Sequence, residues 1–240
     1  MPRIWKDRPG IHAAFINREI EKTGETIRSV SDIDDHNKVK EALENNRRIA
    51  SSFLNVPDLS LCMGKQVHGA HVACVNRPGV KDSTDGLVTD RPGLGLGILV
   101  ADCAAILMAD PVYKVVAAVH AGWRGAVDGI IPEAIRQMEA IGAEPDLLQV
   151  YLSPCISLAS FEVGEEVAAR FPQRHVDRSL KKPHVDLGGF LMDELKKMGV
   201  ARESIVRDET CTTSHDQTLH SFRRDGAKSG RMMGIIALGS

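Results

Sequence analysis

Residues 101–125, ADCAAILMADPVYKVVAAVHAGWRG, contain two apolar runs that are joined by a short polar turn. Asp110 and Pro111 predict a β-hairpin here, because aspartate suits the first position of a type I turn and proline the second. If 111–112 form the turn, paired residues have numbers that sum to 223, which places Cys103 opposite His120. Opposed residues share a face of the sheet, with Cβ atoms about 4.5–5.5 Å apart. We therefore expect this thiol and this imidazole to meet.

The remaining sequence mixes short apolar runs with amphipathic segments and has no regular βαβ alternation. Residues 35–54 have helical spacing of apolar positions, and Asp35 is placed to cap the helix. Further helices are predicted over 126–141, 163–171 and 186–199, and further strands over 147–153, 204–209 and 232–238. In the first of these helices Pro132 implies a kink, or a helix that starts near it. No repeat or long linker divides the chain. The pattern predicts an α+β fold in one domain, residues 1–240, with helices packed on mixed or antiparallel sheets.

Composition narrows the class of protein. The chain has 30 Lys and Arg against 32 Asp and Glu, so its formal charge of -2 gives no electrostatic attraction to nucleic acid or to an anionic membrane. No apolar run approaches the roughly 20 residues of a spanning helix, and the first residues lack the apolar region of a signal peptide. The five cysteines include no CxxC pair, which favours reduced thiols. We expect a cytoplasmic protein with a small-molecule substrate, and no pattern specifies an oligomeric state.

Two histidines and one cysteine are candidate metal ligands. A lone cysteine in an apolar strand is commonly a packing residue, but His120 is followed by AGWRG, in which the glycines allow a sharp turn. Upstream, GKQVHG at 64–69 places His68 at the end of a strand. Imidazole nitrogens and a thiolate suit zinc, and three protein ligands leave a fourth position for water or substrate. The set His68, Cys103 and His120 therefore predicts a catalytic metal site.

Five motifs, in chain order, resemble those of the laccase-domain family, also called the YfiH or polyphenol oxidase family, of the purine nucleoside phosphorylase type. They are KQVHG, TDGLVTDRPGLGLGILVADCAAILMADP, VVAAVHAGWRG, SPCISLASFEVGEEV and CTTSHDQTLHSFRRDGAKSGR. The resemblance extends from about residue 35 to the C-terminus. It implies a single-domain α/β sandwich and a zinc ion bound by His68, Cys103 and His120, which are then also the catalytic residues.

The resemblance also implies an activity. Members of this type cleave adenosine, inosine and methylthioadenosine with phosphate as co-substrate, and have a secondary adenosine deaminase activity. Guanidinium groups bind anionic oxygens in a bidentate manner, so arginines of these motifs are candidates for phosphate or ribose contact. The predicted substrate-binding residues are Lys65, Arg124, Arg223 and Arg224. The aromatic residues available for base stacking are Trp123, Phe161 and Phe222. Aromatic residues of these types are more often part of the hydrophobic core than stacking platforms.

Two acidic residues near these motifs are given supporting roles. Asp102 precedes Cys103 and is expected to point to the opposite face of the strand, where it would orient the backbone or support the ligands. Asp85 in TDG is interpreted as a turn residue.

Other functions stay open. Cys103 as nucleophile and His120 as its base would make a metal-free hydrolase. A copper-dependent polyphenol oxidase fits less well, because a multicopper cluster needs many paired histidines and the sequence has no His-x-His pair. Editing of cell-wall precursors has been attached to some bacterial members, and a non-catalytic purine-binding or partner-binding module would bind adenosine without turnover.

Overall fold

The structure is a computed structural model that describes residues 3–4, 10–31 and 33–239. The strands are β1 (Arg3–Ile4), β2 (Ile11–Ile16), β3 (Ser60–Gly64), β4 (Val72–Cys74), β5 (Gly79–Lys81), β6 (Gly86–Thr89), β7 (Leu94–Val100), β8 (Ala104–Asp110), β9 (Val115–Ala121), β10 (Gln149–Leu152), β11 (Val176–Asp177), β12 (His184–Val185), β13 (Ile205–Arg207) and β14 (Met232–Leu238). The α-helices are α1 (His36–Leu54), α2 (Trp123–Val127), α3 (Ile130–Glu139), α4 (Glu165–Ala168), α5 (Leu187–Lys197) and α6 (Phe222–Asp225).

Two six-stranded sheets form the centre of the molecule. The first has the order β1-β2-β14-β7-β3-β5 and the second the order β13-β10-β8-β9-β6-β4. Both are mixed: β3 runs parallel to β7 while β14 runs antiparallel to it, and β10 runs parallel to β13 but antiparallel to β8. The predicted α+β class with mixed sheets is confirmed.

Alternating residues of the strands divide the core into layers. Leu107 of β8 packs with Ile98 of β7 in the cluster between the two sheets, whereas its neighbour Ile106 packs with Ile135 of α3 on the outer side. On the outer side of the first sheet, α1 contributes Ile49 to a third cluster. Every residue of β7, β8 and β9 is buried, because each of these strands is covered on both faces. This explains why their sequences are continuous apolar runs without polar alternation.

The helices follow the predicted segments with one division. Helix α1 begins at the residue after Asp35, whose carboxylate accepts the backbone N–H groups of Asn37 and Lys38, as the sequence predicts. The segment 126–141 is divided at Gly129, which has φ of 90°. Pro132 lies in the first turn of α3, where its missing N–H group is not needed. In the described ranges, no helix is long and apolar enough to cross a membrane.

The hairpin of β8 and β9 forms, but the predicted register is wrong by two residues. Asp110 pairs with Val115 and Ala105 pairs with His120, so that four residues, 111–114, form the loop in place of two. The Asp110 carboxylate accepts two loop N–H groups, and Lys114 adopts a φ of 57°, which together close the longer turn. Cys103 therefore lies just before β8, diagonal to His120. Because the shift is two residues, the same side chains still share a face.

Candidate active site

Three separate segments bring the predicted ligands together. His68 lies in the loop after β3, Cys103 precedes β8, and His120 is the sixth residue of β9. One ligand atom from each lies within 4.8 Å of the other two, and Cys103 Sγ is 3.9 Å from His68 Nδ1. The two imidazole rings meet edge to face, with centroids 4.7 Å apart. The structure therefore assembles these three residues, which are far apart in sequence, in one cluster.

Asp85 holds both histidines of this cluster. Its Oδ1 atom lies 2.8 Å from His120 Nδ1, so the other ring nitrogen, Nε2, is left to face the cluster. The same carboxylate accepts backbone N–H groups from Val67, His68 and Gly69 at 3.1, 2.9 and 2.9 Å. These bonds support the loop in which His68 has a φ of 60°. The interpretation of Asp85 as a turn residue missed this role.

The charges of the cluster favour a thiolate. Burial alone would raise the pKa of the Cys103 thiol. His120 and His68 have the larger effect and lower this pKa to about 6. Burial lowers the pKa of His120, whereas the Cys103 thiolate and the Asp85 carboxylate raise it to about 9. Each group stabilises the charged form of the other. In the metal-free protein this gives a thiolate beside an imidazolium, and the thiolate is the form that binds a metal.

A metal ion fits this cluster. Zinc bonds of the usual lengths place tetrahedral N and S ligands about 3.3–3.6 Å apart, and here Cys103 Sγ lies 3.9 Å from His68 Nδ1 with all three ligand atoms within 4.8 Å of one another. Gly122 borders the space between the ligands: a Cβ atom built on it would lie 2.8 Å from His68 Nδ1 and 3.0 Å from Cys103 Sγ. The chain therefore has its smallest residue where a side chain would enter the ligand set.

The cluster opens into a cavity of about 330 Å³, which is at the lower end of the range for small-molecule sites, roughly 300–1,000 Å³. His68, Cys103 and His120 form part of its wall. All three aromatic residues considered for base stacking also line it: Trp123, Phe161 and Phe222. Phe161 is buried, whereas Phe222 is 53% exposed. Flat apolar groups and a metal-ligand cluster thus meet in one cavity.

Asp102 connects the cluster to the C-terminal part of the chain. Its carboxylate accepts a hydrogen bond from Thr212 Oγ1 at 2.6 Å and another from the backbone N–H of Arg223, also at 2.6 Å. Asp102 has a φ of 85°, in the left-handed region, immediately before Cys103. These contacts fix the start of α6 against the residue that precedes the thiol.

The four predicted substrate-binding residues occupy different places. Arg223 lines the cavity. Lys65 lines a separate groove, where its Nζ atom lies 3.4 Å from Oδ1 of Asp82. Arg124 is exposed, and its guanidinium group stacks on the Trp123 ring. Arg224 donates to the carbonyl oxygens of 212, 213 and 219 and pairs with Asp225. Lys65, Arg124 and Arg224 thus lie outside the cavity lining, and substrate contact by them stays a prediction.

Sequence reasoning also missed Arg231, which lines the cavity. Its signal was present in the motif CTTSHDQTLHSFRRDGAKSGR, whose last residue it is. In this motif the substrate-binding role is predicted for Arg223 and Arg224, but of these two only Arg223 lines the cavity.

The fold and the cluster define an α/β sandwich protein with a candidate catalytic metal centre. The chain belongs to the family described as multi-copper polyphenol oxidoreductase laccase, which it matches over residues 13–239. The match begins earlier than the resemblance near residue 35, so it includes residues 13–16 of β2. The resemblance to this family is confirmed.

Relatives and solved structures agree with this assignment. The chain is 36% identical over 201 residues to a purine nucleoside phosphorylase of Mycobacterium tuberculosis, which covers 81% of this chain and 79% of the relative. It is 35% identical over 204 residues to a purine nucleoside phosphorylase of Streptomyces coelicolor, with coverage of 82% and 83%. YlmD from Geobacillus stearothermophilus has a similar structure, with a TM-score of 0.82, 25% identity and coverage of 97% and 93%.

Proposed function

We propose that this protein is a zinc-dependent purine nucleoside phosphorylase that acts on adenosine, inosine and methylthioadenosine and has a secondary adenosine deaminase activity. The observation that carries the proposal is the approach of His68, Cys103 and His120 to within 4.8 Å on the wall of a small-molecule cavity. Relatives that match about four fifths of the chain bear the name purine nucleoside phosphorylase, which supports the reaction class.

The family description names several coppers, whereas the relatives are named for nucleoside cleavage. We favour the second function, because the part of the chain that the structure describes contains one such ligand cluster. A multicopper centre requires additional histidines around the first metal. Two nitrogen donors and one thiolate, with one position open, suit a single zinc ion. Copper in the same three-ligand site is the alternative that a metal analysis would detect.

In phosphorolysis an oxygen of phosphate bonds to C1′ of the ribose while the bond from C1′ to the purine nitrogen breaks. The electron pair leaves with the purine, which takes up a proton. Zinc held by the three residues would supply Lewis-acid stabilisation of the purine or of a water molecule, the latter for deamination. Phe222 lines the cavity and is exposed, so it offers a ring on which a purine can stack. Arg223, whose guanidinium carbon lies 5.6 Å from the centre of the Phe161 ring, offers a cation for an anionic oxygen.

The test is an assay of zinc-loaded protein with adenosine, with and without phosphate, in which adenine, inosine and hypoxanthine are separated by chromatography. Cys103→Ala and His120→Ala are assayed alongside, with Cys74→Ala as a matched control at an exposed cysteine. We expect adenine only when phosphate is present, and only from the parent protein and the control. Absence of product, or equal product from the cluster variants, would overturn the proposal.

A metal-free hydrolase is the second candidate, and one observation favours it. In this scheme Cys103 is the nucleophile, His120 is the base beside it, and Asp85 is the carboxylate that orients the base. His68 beside the thiol has no place in that scheme, but it is a natural third ligand for a metal. Elemental analysis separates the two: one zinc per chain that is lost in Cys103→Ala supports the ligand role. No metal, together with rapid alkylation of Cys103, supports the nucleophile.

A further inference from the structure

Two arginines that line the cavity have no acidic partner among the described residues. Arg223 and Arg231 both line it, and among the described residues no carboxylate lies within ion-pair distance of either one. Glu162, whose carboxyl feels the charge of Arg223, is itself paired with Lys182 at 2.7 Å. Unpaired cations in a concave site attract anions.

Both guanidinium groups are anchored by one nitrogen. Nη1 of Arg231 donates to the carbonyl oxygens of Ser229 and Gly230 at 3.0 and 3.1 Å. Nη1 of Arg223 donates to the carbonyl oxygens of Ser160 and Glu162 at 3.3 and 3.0 Å. The anchored nitrogen fixes each planar group, and its Nε and Nη2 donors remain for a ligand.

Arg224 shows the opposite arrangement one residue away. Its Nη1 and Nη2 atoms donate to three carbonyl oxygens, and its Nε and Nη2 atoms donate to Asp225 at 2.8 and 2.7 Å. This arginine is consumed in holding the C-terminal loop. The difference between adjacent arginines shows which of them has donors to spare.

The acidic side chain of the lining does not cancel these charges. Asp102 accepts from Thr212 Oγ1 and from the Arg223 backbone, so neither of its oxygens is directed to a guanidinium group. Ser31 adds a hydroxyl to the same lining, and its Oγ accepts the backbone N–H of Gln66 at 3.0 Å, which leaves the O–H proton to donate. With a divalent metal in the cluster, positive charge exceeds negative charge around the cavity.

We propose that Arg223 and Arg231 form a binding site for a phosphate group in the cavity that also contains the His68, Cys103 and His120 cluster. The inference rests on the proposed function only for its role, which would be to hold the attacking phosphate. The chemistry recognised is a phosphate dianion, supplied as inorganic phosphate or as the 5′-phosphate of a nucleotide.

The test is calorimetric titration of the zinc-loaded protein with inorganic phosphate in the absence of nucleoside. We expect Arg223→Gln and Arg231→Gln each to weaken phosphate binding by about 10- to 100-fold, the range for loss of hydrogen bonds to a charged group. Arg231→Lys, which retains the charge without the planar fork, is expected to restore part of the affinity. Arg136→Gln, at an exposed arginine of α3 that pairs with Glu133, is the matched control. Zinc content and thermal unfolding identify variants that fail to fold.

Comparison of adenosine with adenosine 5′-monophosphate distinguishes the two sources of phosphate. If the nucleotide supplies the group, it binds more tightly than the nucleoside, and Arg231→Gln removes the advantage. If inorganic phosphate supplies it, adenosine and phosphate bind together. Unchanged phosphate and nucleotide affinity in both arginine variants overturns the site, even if phosphorolysis is found. Weakened phosphate binding without any phosphorolysis supports the site and refutes the proposed function.

Discussion

Oδ1 of Asp85 lies 2.8 Å from Nδ1 of His120 while the same carboxylate accepts three backbone N–H groups from the loop that carries His68. One fully buried side chain thus fixes the ring of one ligand and the backbone of another. Burial acts to raise the pKa of the Asp85 carboxyl, but the hydrogen bonds from His120 and the loop lower it overall. The carboxylate is therefore ionised at neutral pH and stabilises the ligand set from outside it.

Asp85→Asn is expected to weaken zinc binding by about 10- to 100-fold, the usual cost of removing a carboxylate behind a ligating histidine. An asparagine amide has only one acceptor oxygen. Its NH₂ group would stand where a carboxylate oxygen now accepts hydrogen bonds, so some of the loop N–H groups or the His120 ring would lose their acceptor. Competition with a chromogenic chelator measures the affinity. Asp82→Asn, at a side chain 84% exposed, serves as the control. Equal zinc affinity in Asp85→Asn and the parent would show that the carboxylate positions nothing.

Gly122→Ala is expected to reduce zinc content to well below one per chain. The backbone of Gly122, with φ of -80° and ψ of 168°, is open to any residue, so the effect comes from the added Cβ atom, 2.8 Å from His68 Nδ1. Gly164 is a matched control, because it has nearly the same φ and ψ at the start of α4 and its added Cβ would meet the end of the flexible Glu166 side chain. Metal analysis of both purified variants is the measurement, and a full complement of zinc in Gly122→Ala contradicts the steric argument.

The sequence predicts the strands of the sandwich well, since β7 to β9 and β14 are apolar runs bounded by turn residues. It predicts the hairpin register less well, because turn propensity at Asp110 and Pro111 does not determine loop length. The aspartate side chain and the left-handed Lys114 decide that length through contacts that no local pattern specifies. The ligand set survives this error because a shift of two residues preserves the face.

The supporting residues are the part that local sequence patterns hide. Asp85 stands in a common turn motif, and its function depends on a strand 35 residues later. Arg223 and Arg224 are indistinguishable as letters, but opposite side-chain directions give one to the cavity and the other to the loop. Roles of this kind depend on contacts between residues far apart in sequence, and these contacts exist only once the strands have paired into sheets.

Leu107→Ala is expected to lower the free energy of unfolding by about 2–5 kcal/mol, the range for deleting a buried leucine side chain. Leu107 is fully buried between the two sheets, where the cavity left behind is bounded by rigid strands. Leu180→Ala is the matched control, because Leu180 is 59% exposed. Urea unfolding of the two variants provides the comparison, and a difference below about 1 kcal/mol would be incompatible with a close-packed sandwich core.

Cys211 is expected to react with iodoacetamide at neutral pH more readily than the exposed Cys74. Burial raises the pKa of Cys211, but hydrogen bonds from Ser157, Thr213 and Ser160 lower it to about 6. The pKa of Cys74 is raised by burial and by Asp90. Because the thiolate is the reactive form, alkylation of Cys211 stays near its maximum from pH 9 down to about pH 7 and declines through pH 6. Alkylation of Cys74 decreases about tenfold per unit over the same interval.

Site-resolved mass spectrometry over this pH range measures both rates in one sample. Ser160→Ala removes one of the stabilising hydroxyl groups, whose oxygen lies 3.5 Å from the sulfur, and is expected to move the midpoint for Cys211 to higher pH. Parallel pH profiles for the two cysteines would mean that the hydroxyl groups around Cys211 do not stabilise its thiolate.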